Sequence, residues 1–469
     1  MMSKFAYRIF SLTAAIVLCS VGVSCSKSSK NDNSSMPEQP VKITVGIWPQ
    51  ETDKSATSVW EKYEEIMKKK YPNITLVPES LSYSFDTFIT MAASGTLPTI
   101  FQTYFTEPKR LIANNVVADI TDYAERYGFI EGQREDILSI ATENGRLYGI
   151  ARDAYALALF INMNLFRKAG LVDEDGLPVY PKTFDQLAEI AKTIKEKTGK
   201  PGFFLPNRDG IGGWHFCNIA WAFGAEMQYQ DSDGRWRSGI GSLEAIKALQ
   251  YVYDLKWKYG VVVDNSSLGW GDWIMNFATD EVGMVFAAPD AMRNMVINYS
   301  MNKNAIAAVP VPAGPGGHYA LMGGTFYMFA ANATEEQLDA GFKLLEIIGM
   351  TPKATEQMIE SIEYELEAQV SQNIPVGPRT INVWTDQNRI KVEQDLYDKY
   401  TNVDMRLFRD YYDGQESRVR KEYPMYCQEM YRTLDNCIRS VLTDKNSSPE
   451  QLLAKASQEF ENFYLSGNN

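Results

Sequence analysis

At 469 residues the chain is too long for one ordinary hydrophobic core, which predicts two or more lobes. Its formal charge of −13, from 59 acidic against 46 basic residues, disfavours nucleic acid and anionic membrane surfaces as partners. Only His215 and His318 are histidines, which argues against a histidine-rich metal site, and no metal or cofactor is expected.

In chain order, the first signal is a basic segment with Lys4 and Arg8, followed by an apolar run from about Phe10 to Val23. That run falls short of the ~20 residues needed to span a bilayer. Small residues then lead into Cys25, and Val21-Gly22-Val23-Ser24-Cys25 resembles a bacterial lipoprotein signal, with Gly22 where such signals usually carry Leu. Residues 1–24 are therefore expected to be a removed signal peptide, with Cys25 acylated. A plain secretory signal with an incidental cysteine is the alternative. Residues 26–40 are polar and of low complexity, a composition that tethers rather than packs.

The folded body opens with Val41, Ile43, Val45 and Ile47 alternating at the period of a strand. A helix follows on Val59, Trp60, Tyr63, Ile66 and Met67, and Tyr71-Pro72-Asn73 stops it before strand character returns at Ile74-Thr75-Leu76-Val77. Strand, helix, strand in about 40 residues is a βαβ unit with parallel strands. Further strand-like runs occur at 98–104, 156–162, 282–288, 305–312 and 325–330, so the chain is α/β. Thr183 with Gln186, Thr334 with Gln337 and Ser448 with Gln451 have capping-box spacing, the last with Pro449 at the first helical position. Residues 385–469 are almost entirely helical in pattern. Cys427 and Cys437, on one predicted helix, stand ~15 Å apart by its rise, too far to bond.

Several segments in this order resemble the extracellular solute-binding proteins, family 1, of ATP-driven importers (the maltodextrin-binding type). They are the opening strand ending in Trp48, Ser94-Gly95-Thr96-Leu97-Pro98-Thr99-Ile100, Gly145 to Ile150, and Leu159 to Leu171. Pro181 to Leu187, Val282-Gly283-Met284, Gly323-Gly324, the helix from Thr334 to Ile348 and Ile374 to Pro378 continue the series. The resemblance implies a two-lobe, periplasmic-binding-protein-like (type II) α/β fold with a hinged interlobe cleft. One lobe would hold 42–150 plus 324–372, the other 153–322 plus 375–469. The crossings would fall near Ala151-Arg152, Met322-Gly324 and Ile374-Pro378. It also implies an extracytoplasmic monomer, anchored to the membrane by its lipid and partnered by ABC transporter permease subunits.

A solute in such a cleft is buried from both sides, and hinge closure is linked to its binding. Sugars offer apolar faces to aromatic rings and hydroxyls to charged groups, so the nine tryptophans and 26 tyrosines point to a carbohydrate. Trp48 and Tyr104 end strands, where open α/β sheets face ligand crevices. Arg152 and Asp153 flank the implied first crossing, where a hinge salt bridge is the competing role. Trp214 follows Gly212-Gly213, and Trp270 and Trp273 flank Gly271-Asp272 in a stretch with no settled helix. Asp290 follows a strand, and Phe326 follows Gly323-Gly324; core packing is the competing role for the rings. These nine residues are the expected ligand contacts. A peptide or other small solute on the same fold, or a lipid-anchored glycan-degrading enzyme, are the alternatives. No nucleophile elbow, phosphate loop or HExxH motif supports the enzyme.

Overall fold

The computed structural model describes residues 39–83, 87–263, 267–377, 381–414 and 418–466. The expected signal peptide, Cys25, Pro378 and all but the end of the tether lie outside the described residues. From Pro40 onward the described residues form one compact unit.

The chain builds β1 (Val41–Val45), helix α1 (Lys54–Lys70), β2 (Ile74–Pro78), β3 (Ile100–Tyr104) and β4 (Gly149–Ala156). It continues with β5 (Ala158–Asn162), β6 (Phe203–Phe204), α2 (Ile211–Ala222), α3 (Trp270–Ala278), β7 (Met284–Ala287), α4 (Ala291–Tyr299) and β8 (Ile306–Val309). It ends with β9 (Ala320–Phe329), β10 (Val419–Lys421) and α5 (Cys427–Thr443), among further helices. Two mixed sheets result. The first has the order β10-β9-β3-β1-β2, with β4 also paired to β9; the second has the order β8-β5-β7-β6.

Local chemistry accounts for these elements. Ile43 and Val45 are fully buried while Lys42 is exposed, the two-residue period expected of β1. As the βαβ reading requires, β1 and β2 pair in parallel from Val41↔Ile74 to Val45↔Pro78. Between them α1 buries Val59, Tyr63 and Met67 at four-residue steps. The Asp53 carboxylate accepts from the Ala56 N–H at its start, and Lys68, Lys69 and Lys70 complement its C-terminal dipole. All three expected caps are present: the hydroxyls of Thr183, Thr334 and Ser448 accept from the backbone N–H of Gln186, Gln337 and Gln451.

Sheet membership changes at Leu157 and between Val309 and Ala320, because β4 and β9 stay paired from Gly149 to Ala156. The C-terminal region is helical as expected except for β10, which pairs in parallel with the start of β9. Cys427 and Cys437 both lie on α5, and Cys217, Cys427 and Cys437 are free and buried. No helix among the described residues is long and apolar enough to cross a membrane.

Candidate functional site

The strand β4 carries the chain toward the second sheet, and its irregularity sets the site. Opposite β9, Asp153 pairs with Thr325 and Ala151 with Phe326, so Arg152 is the extra residue of a β-bulge. The bulge breaks the alternation that would put Arg152 and Asp153 on opposite faces. Gln133 holds the bulged strand, its side chain accepting from the Ala151 N–H at 3.0 Å and donating to the Ala151 carbonyl at 2.6 Å. Asp153 Oδ1 accepts from the backbone N–H and the hydroxyl of Thr325, both at 3.0 Å, and Oδ2 accepts from Arg152 at 2.7 Å. Tyr327, then Asp153 and Glu365, hold the Arg152 guanidinium firmly charged.

Two residues on, Tyr155 stands between Ala154 and Ala156. It is the point on which the surrounding groups converge. A Cβ added to Gly323 on β9 would lie 2.6 Å from its hydroxyl, so the glycine there makes room for the ring. Burial pushes the Tyr155 phenol well up, and Glu422, Asp290, Asp153 and Tyr104 each push it further. Tyr104 comes from the end of β3 in the first sheet and Asp290 from the end of β7 in the second. Tyr104 is 44% exposed, yet burial and then Asp290 raise its phenol. Burial, and then Asp153, push Asp290 up to about 6 although its residue is also solvent-exposed.

The aromatic wall comes from the second sheet's helices. Trp214 meets Tyr155 edge-on with centroids 6.4 Å apart and lies 6.2 Å from Trp270, which is 36% exposed. Sequence reading expects loops at both tryptophans; instead Trp214 lies inside α2 and Trp270 is the first residue of α3. Gly213 sits in a helix because α5 crosses there: a Cβ would come within 2.4 Å of the Tyr431 backbone. The Asp435 carboxylate, on α5, accepts from the N–H groups of Gly210 at 2.6 Å and Gly213 at 2.9 Å and so caps α2. The start of α3 is fixed by Asp272, which accepts from the Gly269 N–H and from Arg208, each at 2.9 Å.

The structure thus brings Tyr104, Arg152, Asp153, Trp214, Trp270 and Asp290 to one place. Two expected contacts are corrected. Trp273 is fully buried beneath Trp270, with His215 6.1 Å behind it, and Phe326 is fully buried against Phe105 at 4.6 Å; neither ring has surface for a ligand. Trp48 is half-buried and packs on Trp60 of α1 at 4.9 Å, which leaves part of its ring open.

Tyr155, Tyr83, Glu107 and Glu422 escaped sequence reading. Tyr83 lies 5.5 Å from Tyr104 and donates its hydroxyl to the buried Glu107. Burial, helped by Glu107, pushes Glu422 up to about 8 against the hydrogen bond it accepts from Tyr431 at 2.9 Å. A lone tyrosine between alanines in a strand, with Gly323-Gly324 downstream, is the signal that could have found Tyr155. The cavity bounded by Arg152, Asp153 and the Ile381–Trp384 stretch is about 40 Å³, room for ~3 waters and no sugar ring. Among the described residues no cluster of His, Cys, Asp and Glu could hold a metal.

A family profile described as bacterial extracellular solute-binding protein matches residues 48–347. A binding protein of Brucella abortus is 27% identical over 221 residues, 46% of this chain and 49% of the relative. The arabinooligosaccharide-binding protein of Bacillus subtilis is 26% identical over 205 residues, 41% of this chain and 44% of the relative. The chain thus spans about half the length of the curated relatives it matches. The structure of T. maritima MalE3 with maltose bound superposes with a TM-score of 0.65 at 21% identity, covering 90% of this chain and 99% of that one. That likeness shows the fold, the two-lobe type II α/β architecture.

Proposed function

Because this chain belongs to the family of bacterial extracellular solute-binding proteins, we propose that it is the lipid-anchored, extracytoplasmic receptor of an ABC importer and binds an oligosaccharide around Tyr155. The observation that carries the reading is the convergence on Tyr155 of Tyr104 and Asp290, from different sheets, with Trp214 beside them. Rings of this kind cover the apolar face of a pyranose or furanose, and carboxylates accept from its hydroxyls. A solute touching groups of both sheets favours the state in which they are close by its differential affinity, which is what a transporter can sense. Maltose and arabinooligosaccharide in the names of similar proteins support a sugar ligand. Binding of this sort makes and breaks no bond, so incubation with glycans should release no reducing ends.

The test is a thermal-shift screen of the mature protein against neutral oligosaccharides, basic peptides and polyamines. At least one oligosaccharide should raise the melting temperature, because a ligand that binds only the native state stabilises it. A clear shift with peptides and none across the sugars would overturn the carbohydrate assignment. For the anchor, Cys25→Ser should move the protein from membrane to soluble fractions, and continued membrane retention would count against it.

A further inference from the structure

We propose that the site selects its oligosaccharide by charge, accepting uncharged sugars and rejecting those that carry carboxylate, sulfate or phosphate groups, with Asp290 as the discriminating residue. This deepens the carbohydrate reading and rests on it. Three carboxyl groups, Asp153, Asp290 and Glu422, act on Tyr155, and Glu107 in turn acts on Glu422. The cations among them are already engaged. Arg152 bonds Asp153 at 2.7 Å, and Arg110 bonds Glu107 at 3.4 Å. Asp290 is different: its carboxylate forms no ion pair among the described residues, it is exposed, and it follows β7, whose last residue Ala287 pairs with Ala158, three residues past Tyr155. Arg152 also acts on Asp290, but more weakly than Asp153 does, and Asp153 opposes it.

An ionised Asp290 can accept hydrogen bonds from sugar hydroxyls. It offers an anionic substituent only repulsion, in a setting crowded enough for that repulsion to be felt. At neutral pH it is ionised, since burial raises it only to about 6. Two like charges ~6 Å apart at the effective dielectric of such sites differ from a neutral pair by on the order of a hundredfold in affinity. Glu422, pushed up to about 8, spends much of its time protonated near neutral pH and can both donate to and accept from a hydroxyl.

The experiment is calorimetric titration at pH 7.5 with neutral tetrasaccharides of glucose, mannose, galactose, xylose and arabinose. Each is paired with a counterpart that carries one uronate. The wild type should bind a neutral member at least thirtyfold more tightly than its uronate partner, with the ratio shrinking as salt is raised. Asp290→Asn, an isosteric change at an exposed position, should cut that ratio at least tenfold. Equal affinity for the two members of the pair, or an unchanged ratio in the variant, overturns the charge filter and leaves the carbohydrate reading standing. Absence of saturable binding by every sugar overturns the carbohydrate reading and the filter with it. Should the variant fold poorly, the wild type still decides the matter: a ratio that does not shrink with salt overturns the filter.

Discussion

Tyr155 shows how much of the site depends on what its neighbours lack. Ala154 and Ala156 leave its flanks small, and Gly323 leaves the opposite strand bare where the phenol lies. Gly323→Ala should therefore displace the ring and weaken binding, while Tyr155→Ala removes it outright; each should cost ligand affinity at least tenfold by calorimetry. Trp214→Ala should do the same, and unchanged affinity in all three would mean the rings were misassigned. Glu422 gives a prediction in pH. Its folded value, about 8, lies above the ordinary carboxylate value, so its contribution to stability is full at low pH and is lost as pH rises toward 8. Urea denaturation should show Glu422→Gln gaining on the wild type between pH 5 and 8, by up to ~1.4 kcal/mol per pH unit. A constant difference would show that Glu422 is not held in a desolvated place. The positions of single residues were legible where a strand's end is marked in sequence, as for Tyr104 at the end of β3 and Asp290 after β7. Trp273 and Phe326 were not, because nothing local distinguishes a ring facing a ligand from one a turn deeper.

Helices and strands followed local rules closely. The caps at Thr183, Thr334 and Ser448 and the period of β1 are short-range chemistry, and short-range chemistry is what a sequence displays. What it conceals is packing between distant elements. Nothing around Gly212-Gly213 announces that α5, more than 200 residues later, crosses there and supplies Asp435 as the cap of α2. This gives the C-terminal helices a role the sequence left open: they hold the helix that presents Trp214. Gly213→Ala, whose Cβ would meet the Tyr431 backbone at 2.4 Å, should destabilise the protein by ~1–3 kcal/mol through overpacking. An unchanged urea midpoint would contradict that crossing. Between α1 and α4 the Arg293 guanidinium bonds both oxygens of Asp53 at 2.6 Å, and Asp53 also caps α1. Asp53→Ala should cost ~1–2 kcal/mol, chiefly the cap, and Arg293→Gln less than ~1 kcal/mol, since half-exposed ion pairs contribute little. Equal losses would place the stabilisation in the ion pair instead.

For the molecule as a whole, the α/β class, the two sheets and the family followed from the order of weak motifs, none of them specific alone. The point at which the chain changes sheets was not legible, because β4 and β9 hydrogen-bond along the whole of Gly149 to Ala156. Bulge, glycines and pairing are tertiary facts, and they decide that Leu157 is where the chain changes sheets. Tyr155 lies two residues before Leu157, beside the segment through which the two sheets are linked. The most direct measurement is a crystal structure of the mature protein with a neutral oligosaccharide bound. The sugar should lie against Tyr155 and Trp214, with hydroxyls on Asp290 and Asp153; a sugar found elsewhere, with Tyr155 untouched, would contradict the account.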